Sequence, residues 1–348
     1  MITGKSSMVL DWKNRLLVFL SVVLVASGNL CLRAQKIDQY KTPEGRLIQL
    51  RNQLEKAQNV GTQKKILQEI GQTGTFIGMT TAAKFLNVKG LEKTAAQAVA
   101  DIALKHKEYD GINTRQWLVQ SMEILGGSSR KAIEEYLQGT SKDEAGFVSI
   151  FNGKDLSGWK GLVENPIKRA SMTSDELAKA QVKADETMRK DWKVENGLLA
   201  YVGSGFDNIC TVRPYADFEM YVDWKLDPNG KEPDAGIYLR GTPQVQIWDI
   251  ARVNVGAQVG SGGLYNNQKH ESKPLQVADN KLGEWNSFYI KMVGDKVTVK
   301  LNGVTVVDNV VLENYWNRNL PIFPVEQLEL QAHGSLTYFR DIYVKDLK

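Results

Sequence analysis

The hydrophobic period of this chain changes near residue 146, from the roughly 3.6 of a helix to the roughly 2 of a strand. Between Thr42 and about Thr140, apolar residues recur at helical spacing: Leu47, Leu50 and Leu54, then Ile66 and Ile70, then Ala95, Ala98, Val99 and Ile102. Thr42 followed by Pro43 reads as the N-cap and first residue of the opening helix. Beyond Gly146 the pattern alternates, and Phe218, Met220, Val222, Trp224 and Leu226 are separated by Glu219, Tyr221, Asp223 and Lys225. A strand buried on one face requires that order. It recurs at Ile237 and Leu239, Val245 and Ile247, Phe288 to Met292, Val297 to Leu301 and Leu328 to Ala332, with turns such as Asn302-Gly303 between. One pattern cannot serve the other structure. The chain is therefore an α + β multidomain protein, an N-terminal all-α domain at 40–141 followed by an all-β sandwich at 146–348. A helical insertion near 173–190 opens with Thr173 and Glu176 as a capping box, and it either decorates the surface or walls a binding site.

The first 34 residues are of a third kind. A basic stretch to Arg15 precedes the apolar run Leu16 to Ala26 and a small, polar tract ending Leu32-Arg33-Ala34-Gln35. This is the order of a secretory signal peptide cleaved after Ala34, which places the mature chain in the periplasm or outside the cell. So short an apolar run spans no bilayer. Cys31 as a lipoprotein cysteine is the weaker reading, because Leu30 stands where a small side chain is needed. Cys210 is then the only cysteine of the mature chain, so it has neither an intrachain disulfide nor a cysteine-based metal site. No metal and no cofactor is expected. The formal charge of +4 lies mostly in the leader, where Lys5, Lys13, Arg15 and Arg33 face only Asp11. The remainder is nearly neutral and has no Lys/Arg stripe, which argues against nucleic acid or an anionic membrane as partner.

The familiar catalytic signatures do not occur: there is no Gly-x-Ser-x-Gly elbow, no His-Glu-x-x-His pair and no Walker loop. Of the three histidines, His106 and His270 lie in charged surface stretches, whereas His333 shares its strand parity with Glu329 and Gln331. Tyr238 and Arg240 oppose Ile237 and Leu239, while Gln244, Gln246 and Trp248 oppose Val245 and Ile247. Amides, carboxylates and a cation lined along a sheet, with an aromatic ring for the C–H face, suit a sugar. An ordinary solvated sheet face is the plainer explanation of the same parity.

A resemblance then rests on seven motifs in order: Phe151-Asn152-Gly153-Lys154-Asp155-Leu156-Ser157-Gly158-Trp159, Asp217-Phe218-Glu219, Ala235 to Gly241, Val245-Gln246-Ile247-Trp248-Asp249, Gly283-Glu284-Trp285-Asn286, Leu301-Asn302-Gly303 and Gln331-Ala332-His333-Gly334. From Gly146 to Leu347 the chain resembles the 3-keto-disaccharide hydrolase family, whose domains are similar to concanavalin-like and laminarin-binding jelly rolls. The helices before it resemble HEAT-like repeats, which offer a surface to a protein partner.

The resemblance implies an exported protein that takes an oligosaccharide or glycoside whose C3 hydroxyl has become a ketone. That ketone acidifies the hydrogen on C2; a general base removes it, the enolate expels the substituent at C1, and water adds back. His333 or Asp223 is the expected base or acid, and Arg240 the expected enolate donor. Glu219, Tyr238, Gln244, Gln246, Trp248, Asp249, Glu329 and Gln331 are the expected substrate contacts. Gln244 stands where the family often has Glu, and Asp249 has core parity, so it reaches the groove only if its strand bends or ends there. Two other functions fit the residues: a non-catalytic carbohydrate-binding module, and a conventional glycosidase with two carboxylates drawn from Glu219, Asp223 and Glu329.

Overall fold

The computed structural model describes residues 36–348 apart from Lys142, Ala332 and Lys348, so the leader and its cleavage site lie outside the described residues. The helical part comprises α1 (Pro43–Lys56), α2 (Val60–Thr73), α3 (Phe76–Ala83), α4 (Glu92–Lys105), α5 (Ile112–Leu125) and α6 (Gly127–Gly139). Local chemistry starts these helices as expected. The Thr42 side chain accepts the Gly45 N–H at 2.9 Å, with Pro43 beginning α1. Asn59 and Thr75 cap α2 and α3 in the same way. Helix lengths of 14, 14, 8, 14, 14 and 13 residues keep no constant repeat.

Then follow β1 (Val148–Ser149), β2 (Trp159–Gly161), α7 (Pro166–Ser171), α8 (Ser174–Asp191), β3 (Trp192–Glu195), β4 (Leu198–Tyr201), β5 (Ile209–Thr211), β6 (Phe218–Leu226), β7 (Asp234–Leu239), β8 (Thr242–Trp248), β9 (Asn286–Val293), β10 (Lys296–Leu301), β11 (Val304–Val311), β12 (Glu329–Leu330) and β13 (Thr337–Asp346). They form a large antiparallel sheet in the order β11-β10-β9-β6-β13-β4-β3, with β1 beside β13, and a small one in the order β2-β5-β12-β7-β8. The two pack face to face as a jelly-roll sandwich. Phe218, Met220, Val222 and Trp224 of the large sheet meet Ile237, Leu239, Val245, Ile247 and Leu330 of the small one in a single apolar core.

The helices cover the outer face of the large sheet, so the molecule has three layers. Phe76 stacks on Tyr221 at 5.3 Å and meets Tyr343 edge-on at 5.2 Å, and both tyrosines join the helical core. Charges lock the same seam. Arg51 of α1 donates to Asp223 Oδ2 at 2.5 Å and also to Asp341, while Arg340 Nε lies 3.3 Å from the same Asp223 oxygen. Burial alone would raise the Asp341 carboxyl, but Arg51, Lys84 and Arg340 hold it well below the usual carboxylate range. At the far end the Thr42 hydroxyl donates to the Asn302 carbonyl at 2.6 Å. Asn302 and Gly303 both have positive φ, 51° and 80°, as the hairpin turn requires. A side chain at Gly303 would start 2.8 Å from Thr42 Cβ, so that turn needs glycine for room as well as for conformation.

The insertion closes an edge. The capping box of Thr173 and Glu176 forms at the start of α8. The helix then lies along β2, the outermost strand of the small sheet, where Asp185 accepts the Gly161 N–H at 2.9 Å and Gln181 donates to the Gly161 carbonyl at 2.8 Å. Side chains thus satisfy backbone groups that an open edge would offer to another strand.

Candidate functional site

The outer face of the small sheet gathers most of the polar residues singled out from parity. Strand register sets them in rows, because residues directly opposite in an antiparallel pair point to the same side. Cys210, Glu329 and Tyr238 form one row. In the next, the Gln331 N–H donates to the Gly236 carbonyl at 2.9 Å, and Gly236 pairs with Gln246. In the third, Asp234 pairs with Trp248. Gly236 leaves the middle of the floor low, since a Cβ there would lie 2.8 Å from Gln331 Oε1 and 3.2 Å from Gln244.

Hydrogen bonds fix one half of this floor. Gln246 Nε2 donates to Asp234 Oδ1 at 2.6 Å and to the Ala235 and Ile247 carbonyls, while Gln244 donates to Gln246 Oε1. Burial pushes the Asp234 carboxyl up, against His333, the Gln246 bond and Arg252, whose Nη1 is 3.6 Å away. The other half is unpaired. Glu329 Oε2, Gln331 Oε1, His333 Nδ1 and Arg252 Nη1 are all buried with no hydrogen-bond partner among the described residues. Buried polar atoms are rarely left so, and each such group costs about 1–3 kcal/mol unless a partner arrives.

Glu329 is the most altered of these groups. Its burial raises the carboxyl to about 8, with Arg169 of α7 and a hydrogen bond from Asn208 pulling it down. Arg169 is itself held by Glu326 and Gln327 at 2.9 and 3.1 Å, which makes α7 a wall of the site. The neighbouring Cys210 is free and buried, and burial lifts its thiol to about 12, so it is no nucleophile at neutral pH. Among the described residues no group of three or more His, Cys, Asp or Glu is arranged to hold a metal ion.

Four of the expected residues stand elsewhere. Asp223 points outward from the large sheet into the Arg51 and Arg340 lock, on the opposite side of the sandwich. Glu219 lies on that same outer face, 3.4 Å from Lys291. Neither is on a strand adjacent to Glu329, which separates both of them from that carboxylate. Arg240 leaves the face because it sits in the β7–β8 hairpin at φ 49°, where strand alternation no longer holds. Its guanidinium is spent on the Pro324 carbonyl at 3.1 Å and on the Gly294 carbonyl. Asp249 lies beyond the end of β8 and accepts the Ala251 N–H at 3.1 Å.

Trp248 is on the face, yet it is only 6% exposed, with Tyr265 set edge-on to it at 5.2 Å. The ring open to a ligand is that of Tyr265, 51% exposed. Phe206, exposed as well, meets His333 edge-on at 5.1 Å. Asp234, Arg252, Asn208, Phe206 and Tyr265 are additions to the expected set. Asp234 shares the parity of Tyr238 and was findable; the others lie outside the strands. His106 and His270 pair with Glu108 at 3.0 Å and Glu313 at 3.1 Å, leaving His333 as the histidine of this face.

Amides, a carboxyl, a histidine and open aromatic rings on one sheet are groups that suit a polyhydroxylated ligand, and a family match places the domain in a carbohydrate-active class. Residues 146–345, more than half of the chain, match the family of 3-keto-alpha-glucoside-1,2-lyase-like domains, and the protein belongs to that family. Two solved structures of candidate glycosyl hydrolases from Parabacteroides distasonis are similar to it. One has 23% identity and a TM-score of 0.42 over 58% of this chain and 95% of its own. The other has 22% and 0.41 over 58% and 99%. A carbohydrate-binding module from Bacillus subtilis shows 9% identity and a TM-score of 0.32 over 55% of this chain and 98% of its own. No curated protein matches the chain. Among the described residues no helix is long and apolar enough to cross a membrane.

Proposed function

We propose that the protein cleaves 3-keto-glycosides on the outer face of its small sheet, by removal of the C2 proton and elimination at C1 followed by addition of water. The observation that carries this reading is a set of buried atoms without a hydrogen-bond partner among the described residues, Glu329 Oε2, Gln331 Oε1, His333 Nδ1 and Arg252 Nη1, beside the bonded Gln244, Gln246 and Asp234. His333 takes the proton from C2. Arg252 Nη1 donates to the C3 oxygen as it becomes an enolate. The enolate re-forms the ketone and a C1=C2 double bond as the C1–O bond breaks, and Glu329 supplies a proton to the departing oxygen. Water then adds its oxygen to C1, and C2 recovers a proton. Glu329 and His333 are four residues apart, at most about 14 Å between Cα atoms in an extended chain, a span that one sugar ring and its leaving group can bridge. Gln331, between them, holds a hydroxyl.

Turnover in heavy water tests this directly. A 3-keto-disaccharide is expected to be cleaved and to carry deuterium at C2 of its product, whereas the unoxidised disaccharide stays intact, because its C2 proton is out of reach of imidazole. Equal cleavage of both sugars would point to a two-carboxylate hydrolysis by Glu329 and Asp234. Binding without turnover would reduce the domain to a sugar-binding module.

The same reading includes export, on the basic, apolar and small-residue order of residues 1–34. Intact-mass measurement of periplasmic protein is expected to give a chain beginning at Gln35, and a retained Met1 or a lipidated Cys31 would overturn it.

A further inference from the structure

On the other side of the sandwich, the seam between the helices and the large sheet opens into a cleft of about 610 Å³, lined by Leu54, Glu55, Lys84, Phe85, Asn196 and Arg340 among others. That is within the size range of small-ligand sites. Its charges are unevenly distributed. Arg51, Lys84 and Arg340 are cations, and the buried Asp223 and Asp341 answer two of them. One positive charge is left over. Glu55 balances it, 2.9 Å from Arg340 Nη1, but the Glu55 side chain is 58% exposed while that of Arg340 is 9% exposed. An ion pair with so exposed a partner is weak, so the Glu55 carboxylate is easily replaced. Arg340 keeps a second nitrogen, Nη2, buried and without a partner among the described residues. Its guanidinium plane lies 3.9 Å from the Trp285 ring centroid, which holds it in place.

We propose that this cleft is a second ligand site that takes a sugar bearing a carboxylate, with that carboxylate displacing Glu55 from Arg340 and reaching Lys84. Leu54 and Phe85 supply an apolar wall for the C–H face of the ring. Asn196, at φ 52° in the β3–β4 turn, adds a polar residue to the lining. Glu55 is in effect the stand-in for the ligand. The site lies across the sandwich from the small-sheet face and does not depend on the reaction proposed there.

The test is binding, not turnover. The full chain is titrated with glucuronic acid, glucose and acetate, following tryptophan fluorescence, which Trp285 reports, and confirming by calorimetry. Glucuronic acid is expected to saturate at least ~10-fold more tightly than glucose or acetate, since a charge-assisted contact and a ring contact each contribute about 1 kcal/mol or more. Glu55→Gln, which removes the competing carboxylate, is expected to tighten glucuronic acid by ~3- to 5-fold, and Lys84→Gln to weaken it by about as much. Both side chains are more than half exposed but pair with buried groups, so a thermal melt of each variant separates a loss of fold from a loss of affinity. Equal affinity for acetate, equal affinity for glucose, no binding of any of the three, or no tightening in Glu55→Gln would each overturn the proposal. Cleavage of a 3-keto-glycoside stays the same in both variants, so the two readings fail separately.

Discussion

Glu329→Gln is expected to lower turnover of a 3-keto-glycoside by ~10²- to 10⁴-fold and, in the same protein, to remove a pH dependence of stability. The glutamine keeps the shape and gives up only the acidic proton. In the folded protein the Glu329 carboxyl is raised by burial from 4.5 to about 8. The folded state therefore holds a proton that the unfolded chain has already released. Stability is fully present below about pH 4.5 and is lost progressively as pH rises through 8, by on the order of 5 kcal/mol in total. Thermal melts of the parent should fall over that window, and those of the variant should fall less. The parent's rate should also drop as pH rises through about 8, as its acid ionises. Parallel melting curves for the two proteins, or a rate that is flat through pH 9, would show that Glu329 is neither the buried acid nor the proton donor.

Arg51→Met should unfold the protein more readily than any other single change at the helix–sheet seam. Methionine nearly fills the volume but leaves Asp223 and Asp341 buried without their main cation. Removing one member of a buried network costs about 3–5 kcal/mol, which for a chain of this size lowers the melting temperature by roughly 4–8 °C. Adding Asp223→Asn and Asp341→Asn should restore part of that loss and no more, because Arg340 and Lys84 share those carboxylates with Arg51. Asp223→Asn alone should leave the rate per folded molecule unchanged. A rate loss there at full stability would return Asp223 to the catalytic machinery.

The alternation from Phe218 to Leu226 is visible in the sequence, and the strand forms with its apolar residues in the sandwich core, but its other face is covered as well, so that Asp223 is fully buried. The same rule placed Tyr238, Gln244, Gln246 and Glu329 together. It says which residues share a face and nothing about what covers that face. Glu219 and Asp223 have polar parity for different reasons: Asp223 lies under the helical layer, which meets it with Arg51 in place of water, whereas Glu219 pairs with Lys291, its cross-strand neighbour on β9. Arg240 was lost to a single left-handed residue at a hairpin. Phe206, Tyr265 and Arg252 sit in connections, where no period exists and only the fold brings them to the sheet.

The lock at the seam also orders events in time. Its members come from the first helix, from the middle of the sandwich and from β13, the last strand, which lies in the middle of the large sheet between β6 and β4. A chain that emerges N-terminus first can complete neither the sheet nor the seam until β13 is free, so its decisive contacts are among the most distant in sequence. Arg51 waits for a partner 290 positions away. For a protein exported as proposed, that delay is useful: a chain threaded through a narrow channel must stay unfolded, and this one acquires its closing contacts only after release on the far side.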